Sequence, residues 1–226
     1  MKKLPILTTA AGLIAAALHF AITRFAVDHK HLLVPTHPLC ILLWVLIAAV
    51  VLWITLTVVK SPKLLSAGYP SGLTSAVGAI ALALGIGLTV YFGRFASGRL
   101  TLLRNIVGIL SVPALVWIAI CRRKGNQPYF LLHAVVCLFF TLHTISRYQT
   151  WSSQSQILNY FFPMASCVLP ALFAYYKTAS GVDMGSFRKE ILSGLLGIFF
   201  CLGAIPLSQD PFLCLTTVLW LLLNLR

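Results

Sequence analysis

Between His133 and Trp151 the chain reads His-Ala-Val-Val-Cys-Leu-Phe-Phe-Thr-Leu-His-Thr-Ile-Ser-Arg-Tyr-Gln-Thr-Trp. Two imidazoles and a guanidinium thus sit in a run otherwise apolar enough to lie in a bilayer. A neutral imidazole can donate one hydrogen bond and accept another, and a guanidinium presents a fixed fork of donors to a carboxylate or phosphate. A helix turns by about 100° per residue, which puts His133, Cys137, Phe140, Thr144 and Arg147 on one stripe. His143 lies at its edge, one turn before Arg147. His133, His143 and Arg147, with Tyr148 and Trp151 at the corner that follows, therefore form a candidate ligand-binding set. A cation beside a histidine suits an anionic group, either a ligand or a protein carboxylate such as Asp28 or Asp210. An ionisable residue inside a membrane is a functional candidate by default. The same residues also have a structural reading. The histidines would bond to neighbouring helices, and Arg147 would anchor its helix among headgroups beside Tyr148 and Trp151.

A second constellation is Asp28, His29, His31 and His37. A His-x-His pair with a third histidine nearby can ligate a divalent metal, and the same residues also read as an ordinary solvated connection. No His-Glu-x-x-His, Gly-x-Ser-x-Gly, P-loop or dinucleotide fingerprint occurs, so no catalytic signature and no cofactor are implied. A haem would need a second clear histidine helix. The four acids are Asp28, Asp183, Glu190 and Asp210. None falls at the centre of an apolar run, which argues against proton-coupled antiport and leaves anionic or neutral solutes open. The six cysteines, Cys40, Cys121, Cys137, Cys167, Cys201 and Cys214, form no Cys-x-x-Cys pair and sit in or beside apolar runs. They read as reduced packing residues.

The elements that must position these groups follow from composition. Apolar residues make up 59% of the chain and charged residues only 9%. A soluble domain is typically about a quarter charged, so lipid must be the solvent for much of this surface. The net charge of +13 is spread singly or in threes between apolar runs. That pattern orients helices in a membrane and excludes nucleic acid as the partner. The expected fold is all-α, one integral membrane bundle over residues 1–226. Eight spans are expected: Leu4–Phe25, Thr36–Val59, Leu73–Phe92, Leu102–Ile120, Tyr129–Ser146, Ile157–Tyr176, Ile191–Pro206 and Pro211–Leu223. The count is seven if the last, which is short, does not cross. Lys177 to Glu190 reads as a polar connection. His19 is deep enough to face other helices, and Arg24 can snorkel. The Ala81/Gly85 and Ala83/Gly87 spacings allow close helix approach, and Ala11/Ala15 offers a similar face. Eleven Lys and Arg fall on the side of the N-terminus and six on the other. This puts the N-terminus and the Gly125 turn in the cytoplasm and Ser152 to Gln156 outside.

Leu131 to Phe140, Ser146-Arg-Tyr, Thr150-Trp-Ser, Tyr160-Phe-Phe, Ala174-Tyr and Gly197-Ile-Phe-Phe-Cys201 together resemble an uncharacterised family of small bacterial polytopic membrane proteins. The resemblance implies a multi-pass protein of the bacterial cytoplasmic membrane with seven or eight spans, and it transfers no catalytic residue. The expected role is non-enzymatic: binding or carrying a small anionic or neutral ligand, or supporting a membrane partner protein. Two rivals are a substrate-binding subunit of a multi-component importer, docking through Ala11 and Ala15, and a membrane enzyme with a histidine site on the outer face.

Overall fold

The computed structural model describes residues 3–26, 36–60, 72–93, 98–126, 128–151, 157–182 and 184–225. Among them there are eight helices and no strand: α1 (Lys3–Phe25), α2 (Pro38–Lys60), α3 (Leu73–Gly93), α4 (Arg99–Arg123), α5 (Phe130–Trp151), α6 (Ile157–Ser180), α7 (Phe187–Ala204) and α8 (Pro211–Asn224). Helices α1 to α4, and α5 over Phe130–Gln149, are long and apolar enough to cross a membrane. At about 1.5 Å per residue the 14 residues of α8 reach only about 21 Å, short of a full hydrocarbon core.

Four expected boundaries move outward, and for one reason. Backbone hydrogen bonding does not stop where apolarity stops. The polar exit after Ser146 stays helical to Trp151. Arg99 belongs to α4 rather than to the connection before it. Lys177 is inside α6, and Arg188, Lys189 and Glu190 form the first turns of α7, so the connection expected from Lys177 to Glu190 shrinks to a few residues.

Helices α3 to α8 close a ring in which each packs on the next and α8 returns to α3. Aromatic side chains fill its interior. Phe173 of α6 meets Trp220 of α8 edge to face at 5.0 Å, and both are buried. Helix α1 lies against α7, and α2 leans on α1 and α7 from outside the ring. The chain alternates direction, so α1, α3, α5 and α7 all begin at one end. We call this the Lys177 end and the opposite one the Arg147 end.

Small residues set the helix spacing, as expected where lipid gives apolar faces no preference for one another. A methyl group built on Gly85 would overlap Thr216 of α8, and one on Gly78 would come within 3.3 Å of the Trp220 backbone. Gly87, by contrast, has room. Gly12 and Ala15 are spent on α7, where Ala15 is fully buried against Gly203. The Ala15 side of the Ala11/Ala15 face is thus occupied within the chain, and Ala11 is half-buried.

His19 behaves as its depth suggested. It is buried, its ring meets Phe162 edge-on at 4.2 Å, and Nδ1–H donates to the Gly203 carbonyl at 2.7 Å. Gly203 lies in the last turn of α7, where carbonyls lack intrahelical donors, so His19 caps a neighbouring helix. His19→Leu should lower stability by about 1 kcal/mol by stranding that carbonyl. Thermal unfolding in detergent reads this directly, and an unchanged midpoint would show that the cap is dispensable.

Candidate functional site

Helix α5 buries His133, Val136, Phe139, Phe140, His143 and Ser146 toward the ring. Cys137 and Thr144, expected on the same stripe, instead line a groove open at the protein surface between α5 and α6. Their neighbours' packing rotates the helix by part of a turn from the stripe read in sequence. His133 and His143 are ten residues apart, about 15 Å along the axis, and serve opposite ends of the bundle.

At the Arg147 end, the connection Ser208-Gln209-Asp210-Pro211 starts α8. Proline at the first helical position is pre-set for the turn, and Asp210 occupies the N-cap. Its carboxylate makes no capping bond and turns to α5. Arg147 donates from Nη2 to Asp210 Oδ2 and from Nη1 to the Gln209 side-chain oxygen. His143 Nε2 lies 3.6 Å from the same Asp210 oxygen. The start of α8 adds a favourable dipole for this carboxylate. Both Arg147 and Asp210 are 18% exposed, so the pair is a half-open lid rather than a dry core contact.

Behind the pair is a cavity of about 20 Å³ lined by His143, Ser166, Cys167, Ser208, Cys214 and Thr217, among others. That is room for about one water molecule. His143 Nδ1 and Thr217 Oγ1, both buried, have no protein hydrogen-bond partner. Arg104 of α4 brings a second cation to this end. It is buried, donates to Asn105 Oδ1 at 2.9 and 3.2 Å, and lays its guanidinium against Gly93. The Arg104 charge acts together with those of Arg147 and Asp210. With His143 neutral, Arg104, Arg147 and Asp210 together carry one more positive than negative charge.

Of the sequence candidates, His143 and Arg147 meet and His133 does not join them. Tyr148 is 52% exposed and outside the cavity. The backbone of α5 reaches Trp151, but its side chain lies outside the described residues. His29, His31 and Asp28 also lie outside them. His37 Nδ1 accepts from the Leu39 backbone N–H at 3.3 Å, helping to start α2. No three His, Cys, Asp or Glu side chains gather as a metal set among the described residues. All six cysteines are free thiols.

Sequence reasoning missed Gln209 and Arg104, and it missed a second cluster at the Lys177 end. There Lys177 Nζ lies 2.7 Å from Glu190 Oε1, with both side chains at most 2% exposed. Arg122 of α4 and His133 of α5 are buried beside them, and the Lys177 and Arg122 charges both act on His133. Neither His133 ring nitrogen has a hydrogen-bond partner, nor does Glu190 Oε2. The available signal was the proximity of Lys177 and Glu190 to opposite ends of one short connection.

Comparison with known protein families, curated proteins and solved structures found no match to this chain. Fold and site together define an all-helical bundle of membrane type with one charged cluster at each end.

Proposed function

We propose that this is a non-enzymatic, multi-pass protein of the bacterial cytoplasmic membrane that binds or carries a small anionic or neutral polar ligand. The Arg147 end would be its outer face, with the N-terminus in the cytoplasm. The excess of Lys and Arg on the N-terminal side supports this orientation. The observation that carries the reading is a small cavity inside a helical ring, bordered by His143, Ser166, Ser208 and Thr217 and closed by the partly exposed Arg147–Asp210 pair. The surplus cation supplied by Arg104 favours a negative or neutral polar guest over a cation. At about 20 Å³ the cavity admits no solute larger than water, so ligand entry requires the pair to part.

Cys167 and Cys214 line this cavity and report on its opening. With the other four cysteines replaced by alanine, a small charged thiosulfonate reagent should label them slowly in the native protein. Asp210→Asn should raise the labelling rate about fivefold, the factor that corresponds to a pair contributing about 1 kcal/mol to the closed state. The unfolding temperature should move little. Labelling that rises only in step with global unfolding would make the pair a structural pin and end the gating reading.

A further inference from the structure

Thr217 is 1% exposed, and its hydroxyl has no hydrogen-bond partner. A threonine inside a helix commonly bonds back to a carbonyl of the preceding turn. Its neighbour Thr216 does so, to Phe212 and Leu213. Thr217 instead leaves its hydroxyl to the cavity that it lines. On the same cavity, His143 Nδ1 is also without a partner. Ser208 completes the polar lining. Its Oγ accepts from the Asp210 N–H at 3.0 Å and from the Cys214 thiol at 3.5 Å, so its own hydrogen remains to be donated. Three polar groups, from α5, from α8 and from the connection before α8, thus border one space with room for about one water molecule.

The hydrogen on His143 is placed by Asp210. Stacking on Phe139, with ring centroids 5.8 Å apart, holds the imidazole with Nε2 at 3.6 Å from an oxygen of that carboxylate. A carboxylate only accepts, so in the neutral ring the hydrogen sits on Nε2 and Nδ1 keeps a lone pair. One added proton converts Nδ1 into a donor and leaves Nε2–H facing Asp210. The cavity is then bordered by three donors: one imidazole N–H and two hydroxyls. The charged and titratable groups that face His143 are Arg104 of α4, Arg147 of α5, Cys167 of α6, and Asp210 and Cys214 of α8. Arg104, Arg147 and Asp210 already sum to one positive charge. Protonation of His143 adds another, and a monovalent anion in the cavity cancels it.

We propose that this cavity takes a single halide ion together with one proton, the ion held by His143 Nδ1–H and the hydroxyls of Thr217 and Ser208, and the proton carried on His143. Fluoride matches a water molecule in size and chloride is little larger, whereas phosphate, sulfate and carboxylates are too large for the closed cavity. A water molecule alone would need no proton, because it can donate to the Nδ1 lone pair. The halide is the guest of the gated cavity proposed above, and its assignment rests on that reading. Ion and proton favour each other's binding by the same factor. The pair enters as the equivalent of a neutral acid, and Arg147 and Asp210 close over it.

The experiment titrates purified full-length protein in detergent with sodium fluoride or sodium chloride, replacing sodium gluconate at constant ionic strength. The unfolding temperature is read at about pH 5.5 and about pH 7.5, on either side of the ordinary histidine range. A halide should raise it saturably while gluconate does not. Half the shift should need about tenfold less halide per pH unit of acidification, since one proton is taken up with each ion. His143→Asn puts a permanent amide N–H near the place of Nδ1–H, so it should keep halide binding and lose the pH dependence. Thr217→Val should fold normally, because no protein group depends on that hydroxyl, and should need about tenfold more halide at both pH values. No shift with either halide, an equal shift with gluconate, a shift independent of pH, or a wild-type response in Thr217→Val would overturn the proposal. If His143→Asn does not fold, the wild-type pH dependence and Thr217→Val decide. Faster cysteine labelling in Asp210→Asn without any halide shift would strike the halide and leave the gated cavity standing.

Discussion

Glu190→Ala should be the most damaging single substitution in this chain. It leaves the Lys177 ammonium, whose side chain is 1% exposed, in the bundle without its carboxylate. Removing one member of a fully buried pair costs about 3–5 kcal/mol, because the remaining charge keeps its desolvation penalty and loses its partner. Lys177→Ala should cost a similar amount by stranding the carboxylate. The pair itself is not where stability comes from. Two well-packed apolar residues of similar volume often do as well as a buried ion pair. Lys177→Met combined with Glu190→Leu should therefore recover most of what either single alanine variant loses. Unfolding temperatures of the four proteins in one detergent make the comparison. Single variants that unfold like the wild type would show that water reaches the pair and that it is not a core contact.

Gly85→Leu should separate α3 from α8. The position has no room even for a methyl group, which would overlap the Thr216 hydroxyl and come within 2.9 Å of its Cβ. Thr216 is β-branched and its hydroxyl is tied back to the Phe212 carbonyl at 2.9 Å, so it cannot easily turn away. Overpacking of this kind typically costs about 1–3 kcal/mol, and the four heavy atoms of a leucine belong at the upper end or beyond. The ring closes through α8 and α3, so the damage should reach the Ser75–Asn224 hydrogen bond at the far end of the same interface. The milder Gly85→Ala should be partly rescued by Thr216→Gly. If Gly85→Leu unfolds at the wild-type temperature, this face of α3 looks at lipid. The two effects differ in kind: the first is electrostatic and abolished by removing both partners, the second steric and relieved by removing volume.

Much of the architecture was legible in the chain itself. Apolar runs separated by basic clusters and by Gly and Pro turns require helices in lipid, because each backbone polar group must be satisfied within its own segment there. That argument located all eight helices to within a few residues at most ends. It also turned His19 inward and marked Gly85 as a contact, since a deep imidazole and a glycine repeat each need a neighbouring helix. What it could not set was rotation. Helix α2 is apolar on every face. Its buried Leu43, Ile47 and Ile54 are chemically no different from its exposed Leu42, Val45 and Leu52. Without an amphipathic stripe, the inward face is chosen by which small residues let a neighbour approach. That choice is made between helices and not within one. The same limit separated His133 from His143 and moved Cys137 and Thr144 to the outer side of α5.

Partners distant in the chain were likewise a tertiary decision. The sequence offered Arg147 two carboxylates, Asp28 and Asp210, and only the closed ring, which sets the end of α5 near the start of α8, brought Asp210 across a separation of 63 residues. Lys177 and Glu190 stood close in sequence, but their burial arises only because α6 and α7 continue as helices past the end of their apolar runs. The chain by itself therefore determined the solvent, the number of helices and the types of residue that would be costly to bury. The tertiary structure decided which of those residues face each other, because pairing energy depends on distance and shielding, and neither is a property of a single segment.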